Sequence, residues 1–140
     1  MRNLSLKPLW LTVLLVLGPL LGCQKPGPAP SAEALSQMIV GTWQAVGTAG
    51  FESLTFDSDG KLKARLKGHQ DPIVTTYRIL DNETVHTDLR EALILAMRAT
   101  GGGTVEMPWW AVGGNAKVHI SRDRLVFRDE KNPDEYRRAE

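Results

Sequence analysis

The stretch that most constrains the fold is an alternation of charged and apolar side chains near the middle of the chain. It reads Lys61-Leu62-Lys63-Ala64-Arg65-Leu66-Lys67. Successive side chains of a β-strand point to opposite faces, so this pattern predicts a strand with its cations in water and its apolar side chains in a core. A strand that buries only one face is typical of an antiparallel sheet.

The same alternation recurs elsewhere, between short turn signals. Asp57-Ser58-Asp59-Gly60, Asp81-Asn82-Glu83 and Ser121-Arg122-Asp123 each separate two alternating segments, and glycine is suited to the positive φ of such turns. The positions that share a face within one segment are Ile39, Gly41, Trp43 and Ala45; Leu54 and Phe56; Ala116, Val118 and Ile120; and Leu125 and Phe127. Ile73 to Leu80 is predicted to form a fourth strand that bears Tyr77, and a short fifth strand is predicted around Val85. The sequence therefore predicts a mainly β domain, an antiparallel meander of about seven to eight strands.

A short helix is predicted before the first strand. Ser31 is a residue type that caps helices, and Glu33 suits the first turn. Leu35, Met38 and Ile39 follow at i, i+3, i+4 spacing and so share one face. We expect this helix to plug or flank the sheet.

A second helix is predicted as an insertion over residues 88–100. Asp88 and Glu91 have the spacing of a capping box, and Gly101 follows as a stop. The apolar stripe of this helix consists of Leu89, Leu93, Ala96 and Met97. We expect the stripe to cover one end or one edge of the sheet.

The first 22 residues have the organisation of a secretory signal. Arg2 and Lys7 form a short basic region, and an apolar run extends from Leu9 to Leu21. A spanning helix needs about 20 apolar residues to cross a hydrocarbon core of ~30 Å. This run is shorter and is broken by Gly18-Pro19, so we expect it to enter a translocon but not to remain as a membrane span.

The signal ends in Leu20-Leu21-Gly22-Cys23, which resembles the lipobox of bacterial lipoproteins. The resemblance implies cleavage before Cys23 and acylation of that cysteine, which is the only one in the chain. Gln24 follows it, and in lipoprotein sorting the absence of aspartate there favours the outer membrane. We therefore expect an outer-membrane anchor on the periplasmic side; the alternative is an ordinary signal peptide that happens to stop at a cysteine.

Residues 23–32 are expected to be a tether, because the run Gln24 to Ser31 contains three prolines and a glycine. Residues 33–140 then form one small domain. Without residues 1–22 the chain has 15 Lys and Arg against 16 Asp and Glu. This near-neutral balance argues against nucleic acid as a partner and leaves the membrane, through Cys23, as the predicted one.

Several motifs of the β segments occur together in a recognisable order. They are Gly41-Thr42-Trp43 after a short helix, Leu54-Thr55-Phe56-Asp57-x-Asp59-Gly60, Tyr77-x-Ile79, and a closing Leu125-x-Phe127 hairpin with Tyr136-Arg137-Arg138. Residues 35–80 and 116–138, which carry these motifs, resemble the small lipocalin-like β-barrel domains common in bacterial lipoproteins. The resemblance implies a lipocalin-like or partly open barrel, from which the insertion at 88–114 departs.

The resemblance also implies that the first and last strands meet. Trp43 of the first strand would then lie against a C-terminal arginine. Period 2 places Arg138, and not Arg137, on the same face as Tyr136. Gly41, Trp43 and Arg138 are therefore expected to be structural residues.

The chain carries no catalytic signature that we can identify. His69, His86 and His119 match no metal-ligand spacing. Asp57-x-Asp59-Gly60 resembles the start of a calcium loop, but Gly68 occupies the position of the closing glutamate. We interpret it as a hairpin turn and expect no metal site.

Other catalytic motifs fail in the same way. Gly101-Gly102-Gly103 is not followed by the Gly-Lys-Ser/Thr of a phosphate loop, and no G-x-S-x-G elbow is present. Glu91 and Glu106 could form an acid pair, but nothing in their spacing selects them. We expect a protein that is not an enzyme and binds no cofactor.

Residues 101–114 are the predicted binding surface. Met107, Trp109 and Trp110 lie between two glycine-rich flanks, an arrangement typical of a lid or docking loop. Pro108 favours an edge strand or loop, in which one tryptophan would enter the core and the other would be exposed. The alternatives are core packing of both tryptophans and contact with the interfacial zone of a bilayer.

Three functions remain open at this point. The leading hypothesis is a non-enzymatic envelope module that binds a small apolar ligand or assists assembly. The second is a protein–protein module, such as a protease-inhibitor-like barrel or an accessory subunit of a secretion machine, and the third is an enzyme. A cavity lined by Leu, Met and Trp would favour a ligand, whereas a sealed core with Trp109 or Trp110 exposed would favour a partner.

Overall fold

The computed structural model describes residues 30–47, 49–101, 107–128 and 133–140, and its main feature is a sheet of eight antiparallel strands closed into a barrel. The strands follow sequence order around the barrel, and β1 closes it by pairing with both β2 and β8. Their bounds are β1 Gly41–Ala45, β2 Ser53–Phe56, β3 Lys61–Arg65, β4 Ile73–Ile79, β5 Thr84–Thr87, β6 Asn115–Ile120, β7 Arg124–Phe127 and β8 Asp134–Arg138. The predicted mainly β meander of about seven to eight strands is confirmed, and its barrel is closed.

In the described ranges three helices accompany the strands at the two ends of the barrel: α1 Ala32–Met38, α2 Leu89–Ala99 and α3 Trp109–Val112. Because neighbouring strands are antiparallel, successive connections alternate between these ends. We call the end with α1 and the turns 57–60, 80–83 and 121–123 the base. The mouth is the opposite end, which carries the segments 49–52 and 66–72 together with α2 and α3.

The base is closed by α1, as the sequence predicts. The Ser31 hydroxyl accepts a hydrogen bond from the Ala34 backbone N–H at 3.1 Å and so caps the helix. Leu35 and Ile39 are buried in the barrel core. The Trp43 indole N–H donates to the Ile39 carbonyl at 2.8 Å, which ties the end of the helix to β1.

Arg138 joins the last strand to the first. Its guanidinium carbon lies 4.2 Å from the centre of the Trp43 ring, so the contact predicted between these two residues is present. The guanidinium also donates to three backbone carbonyls at 2.6–2.9 Å, those of Met38, Val40 and Arg122. Gly41 leaves room for this arrangement, since a Cβ there would lie 2.5 Å from Arg138 Nη1 and the backbone has φ +135°.

The inserted helix α2 is present, but the predicted capping box is wrong. Asp88 precedes the helix with φ −97° and ψ 25°, outside the extended conformation of a capping residue, and its side chain bonds no helix N–H. The carboxylate instead accepts from the Thr76 hydroxyl at 2.6 Å. Leu89 and Leu93 are buried against the barrel, so the predicted apolar stripe does cover one end of the sheet.

The edge strand or loop predicted around Pro108 is a short helix where the structure describes it. Pro108 stands at the N-cap in an extended conformation, and its carbonyl accepts from the Ala111 N–H at 2.9 Å. Adjacent residues of a helix are rotated by about 100°, so Trp109 and Trp110 face different ways. Trp110 is fully buried and Trp109 is 38% exposed, as predicted, although a helix and not a strand separates them.

Candidate functional site at the barrel mouth

The barrel interior below the mouth is occupied by aromatic side chains. Phe51, Trp110, Phe127 and Tyr136 are all fully buried. The Trp110 ring stacks on Phe127 with 3.9 Å between ring centres and 9° between planes, and Phe51 lies 5.6 Å from it. Tyr136 meets Phe127 edge-on at 5.8 Å. Trp110 therefore acts as a plug that α3 inserts into the barrel.

Two further contacts hold the plug in place. The Trp110 indole N–H donates to Asp134 Oδ2 at 2.8 Å, so the buried ring has a partner for its polar atom. Pro108 packs directly on Gly50, where a Cβ would lie 2.9 Å from the proline ring. The helix α3 is thus fastened both to β8 and to the segment before β2.

The Tyr136 hydroxyl is buried beneath the plug. It has no hydrogen-bond partner among the residues that the structure describes. Burial raises the pKa of Tyr136 far above its ordinary value, the negative charge of Asp134 adds to the shift, and a polar interaction with the Phe51 backbone opposes it. The phenol therefore stays neutral and serves as part of the packing.

A groove of about 650 Å³ lies at the mouth between α2 and the segment 66–74. It is open to solvent along one side, and its volume falls in the range of small-molecule sites, about 300–1,000 Å³. The apolar residues that line it are Leu66, Pro72, Ile73, Val74, Ala92, Leu93, Leu95, Ala96 and Met97, and the polar ones are His69, Gln70, Asp71 and Thr100. The groove is thus an apolar trough with a polar rim on the side of the 66–74 segment.

Exposed apolar side chains are concentrated at the same end of the molecule. Leu95 is 64% exposed and Val74 is 55% exposed, and both line the groove. Of the large apolar side chains described as exposed, those at the mouth are Val46, Val74, Leu95, Trp109 and Val112, and the one at the base is Leu80. Exposed apolar groups gathered on one face mark interaction sites more often than scattered ones do.

A polar cluster fixes the start of α2 beside the groove. His86 Nδ1 lies 2.6 Å from Asn115 Oδ1, and His86 Nε2 lies 3.2 Å from Asp88 Oδ1. The hydrogen bond from Thr76 is the main cause that holds the pKa of Asp88 below its ordinary value. Hydrogen bonding to His86 and electrostatic interactions with His86 and Arg78 lower the pKa further, and partial desolvation opposes the shift. This cluster links β4, β5 and β6 at the point where α2 leaves the barrel.

The structure places the predicted binding residues in different environments. Met107 is half-buried against the core, Trp110 is the plug, and Trp109 is exposed on α3. Residues 102–106, including Gly102, Gly103 and Glu106, lie outside the described ranges, as does Cys23. Binding by residues 101–114 and lipidation of Cys23 therefore stay predictions.

The groove itself was not among the sites predicted from sequence. A signal for it was present, because Leu95 lies outside the apolar stripe of α2 and Val74 faces outward among polar residues of β4. Apolar side chains at positions where the period predicts solvent suggest a surface contact. The missing information was that α2 and the segment 66–74 lie side by side.

The described residues were compared with the requirements of a metal site and of a membrane-spanning helix. Within the described ranges, no group of three or more His, Cys, Asp or Glu residues is placed to hold a metal ion. His119 is exposed on β6 and contacts Arg128. No helix in the described part of the chain has the length and hydropathy needed to cross a membrane.

Comparison with known proteins assigns no family to this chain. No protein-family model matches it, and no match is found among curated proteins or solved structures. The groove, the plugged interior and the exposed residues of the mouth are therefore the features from which a function can be argued.

Proposed function

We propose that this protein is a non-enzymatic binding module of the bacterial cell envelope that holds a small apolar ligand in the groove between α2 and the segment 66–74. The observation that carries the proposal is the groove itself, with its apolar walls and two exposed apolar side chains, Val74 and Leu95. Exposure of such groups to water is unfavourable by about 25 cal/mol per Å² of apolar area. Covering them with an apolar ligand recovers that free energy.

The composition of the groove suits an alkyl chain better than a rigid ring system. Met97 has a flexible, polarisable side chain that adapts to irregular ligands, and the small side chains of Ala92 and Ala96 leave room for a ligand along the helix side of the trough. The interior of the barrel is filled by Trp110 and its aromatic neighbours. The proposed ligand therefore lies on the outer side of the plug, against α2.

Attachment to the membrane is part of the proposal. The lipobox-like Leu20-Leu21-Gly22-Cys23 supports a lipid anchor at Cys23, and Gln24 supports the periplasmic side of the outer membrane. Described structure begins at Pro30, next to α1 at the base. An anchor on that side leaves the mouth free to face away from the bilayer, toward ligands in the periplasm.

Native mass spectrometry of the full-length protein, released gently from its own membranes, tests this function. We expect a bound lipid-like mass on the wild type that is lost in Leu95→Asp, because a carboxylate in the trough repels an apolar ligand. Leu80→Asp is the matched control, since Leu80 is an exposed apolar residue at the base. A ligand retained equally by both variants, or absent from the wild type, would contradict the proposal.

A second function is favoured by one specific observation. Trp109 and Val112 are exposed on the same side of α3 at i, i+3 spacing, over a sealed core. Exposed tryptophans are enriched at the centres of protein interfaces. A protein–protein module that docks through α3 is therefore the alternative, and Trp109→Ala would abolish partner capture without loss of the bound ligand.

A further inference from the structure

The outer face of β3 carries a row of cationic side chains. Lys61, Lys63, Arg65 and Lys67 alternate with the buried residues of the strand and its extension. Neighbouring members of the row are about 6.8 Å apart, twice the rise per residue of a strand. Lys61 lies 3.9 Å from Asp59, whereas the other three have no carboxylate within salt-bridge distance in the part of the chain that is described.

Two members of this row, Lys63 and Arg65, lie next to a residue that lines the groove. Lys63 and Val74 are direct partners across β3 and β4, and both side chains point outward. Directly opposed residues on one face have Cβ atoms about 4.5–5.5 Å apart, and diagonal ones such as Arg65 and Val74 about 7–8 Å. Val74 in turn lines the groove with Leu95 of α2. At Val74 the apolar trough thus comes next to two cations that have no acidic partner among the described residues.

We infer that the ligand of the groove is a single-chain anionic amphiphile, whose alkyl chain lies along α2 and whose carboxylate or phosphate head contacts Lys63 and Arg65. The inference rests on the proposed function. An arginine fork and a lysine together suit either head group, because both present paired anionic oxygens. Asp71 lies on the rim of the groove formed by the 66–74 segment and disfavours an anionic head there, so the head is directed to β3.

Binding of three ten-carbon probes to the purified full-length protein tests the inference: decanoate, decyl phosphate and 1-decanol. We expect the anionic probes to bind about fivefold more tightly than the alcohol, the effect of one partly exposed ion pair. Whichever anion binds more tightly identifies the head group, and either result supports the inference. Raising the ionic strength should reduce the difference in affinity between the anionic probes and 1-decanol, because salt screens the ion pair.

Lys63→Glu should reduce the affinity for the anionic probes by about fivefold or more and leave the affinity for 1-decanol within about twofold of the wild-type value, because only the contact with the head group changes. Arg137→Glu is the matched control, an equal charge change at an exposed position of β8, and should leave all three affinities unchanged. Equal affinity of the anionic and neutral probes, or equal effects of the two variants, would overturn the inference alone. Failure of every probe to bind would overturn the proposed groove function as well.

Discussion

The two tyrosines of the chain differ in how their hydroxyl groups are satisfied. Tyr77 donates to the Asp57 carbonyl at 2.6 Å and so ties β4 to the turn after β2. Tyr136 is buried without a hydrogen-bond partner in the described residues. A buried hydroxyl that lacks a partner costs free energy, whereas a bonded one contributes about 1 kcal/mol.

Tyr136→Phe and Tyr77→Phe should therefore have different effects on stability. Removing the Tyr136 hydroxyl keeps the ring that packs on Phe127, so we expect the free energy of unfolding to stay the same or to rise by up to about 1 kcal/mol. Tyr77→Phe should lower it by about 1 kcal/mol. Urea denaturation at neutral pH measures both, and a loss at Tyr136 as large as that at Tyr77 would mean that Tyr136 has an unseen partner.

We expect Asp88 to make the stability of the folded protein depend on pH. Its pKa is lowered in the folded protein, chiefly by the hydrogen bond from Thr76, while an unfolded aspartate titrates near about pH 3.9. Between the folded and the unfolded pKa of Asp88, the folded state therefore binds fewer protons than the unfolded state. The contribution of Asp88 to stability is present above about pH 4 and is lost as the pH falls through the folded pKa.

Asp88→Asn should be less stable than wild type at neutral pH, and the difference should shrink below about pH 4. Thr76→Val removes the main cause of the shift, so the pKa of Asp88 in that variant should move toward its ordinary value. Urea denaturation across pH and NMR titration of the Asp88 carboxyl carbon are the measurements. A destabilisation by Asp88→Asn that does not change between pH 3 and pH 7 would show that the charge of Asp88 is not responsible.

At the scale of elements, most strands were predictable because each shows its own side-chain period, whereas β8 was expected only from the resemblance that placed Tyr136 and Arg138 in the last strand. Lys61 to Lys67 is the clearest case, since its alternation alone sets which side faces the core. The helix α3 was not predictable in the same way, because four residues are too few to show a helical period and Pro108 is compatible with a loop, an edge strand or a helix start. The predicted cap of α2 was wrong for another reason. Asp88 accepts a hydrogen bond from the Thr76 hydroxyl on β4, a contact that local sequence does not reveal.

The plug role of α3 predicts a contrast between its two tryptophans. Trp110→Ala should lower the free energy of unfolding by about 3–5 kcal/mol, because it opens a cavity beside Phe127 and leaves Asp134 without its donor. Trp109→Ala should change it by no more than about 0.5–1 kcal/mol, since the side chain is partly exposed. If thermal or urea unfolding shows that both variants lose the same free energy of unfolding, both rings belong to the core and the contrast is wrong.

At the scale of the whole molecule, the barrel is sealed at the base by α1 and below the mouth by Trp110, and the apolar surface left exposed is gathered around α2 and α3. The antiparallel meander followed from periodicity and the barrel from the resemblance of its motifs, but the groove followed from neither. It arises from residues 66–74 and 92–100, which are separate in sequence and become neighbours only when α2 packs against β4. The sequence-based prediction placed binding at Met107, Trp109 and Trp110, close to the mouth but not in the groove.

The proposed apolar ligand binds in this groove and not inside the barrel. NMR of the full-length protein with ¹³C-labelled methyl groups, titrated with decanoate, tests this most directly. We predict chemical-shift changes and intermolecular contacts at Val74, Leu95 and Met97, which line the groove, and none at Leu54 and Leu125, which are buried in the barrel. Ligand contacts centred on Leu54 and Leu125, with the groove methyls unchanged, would contradict the account.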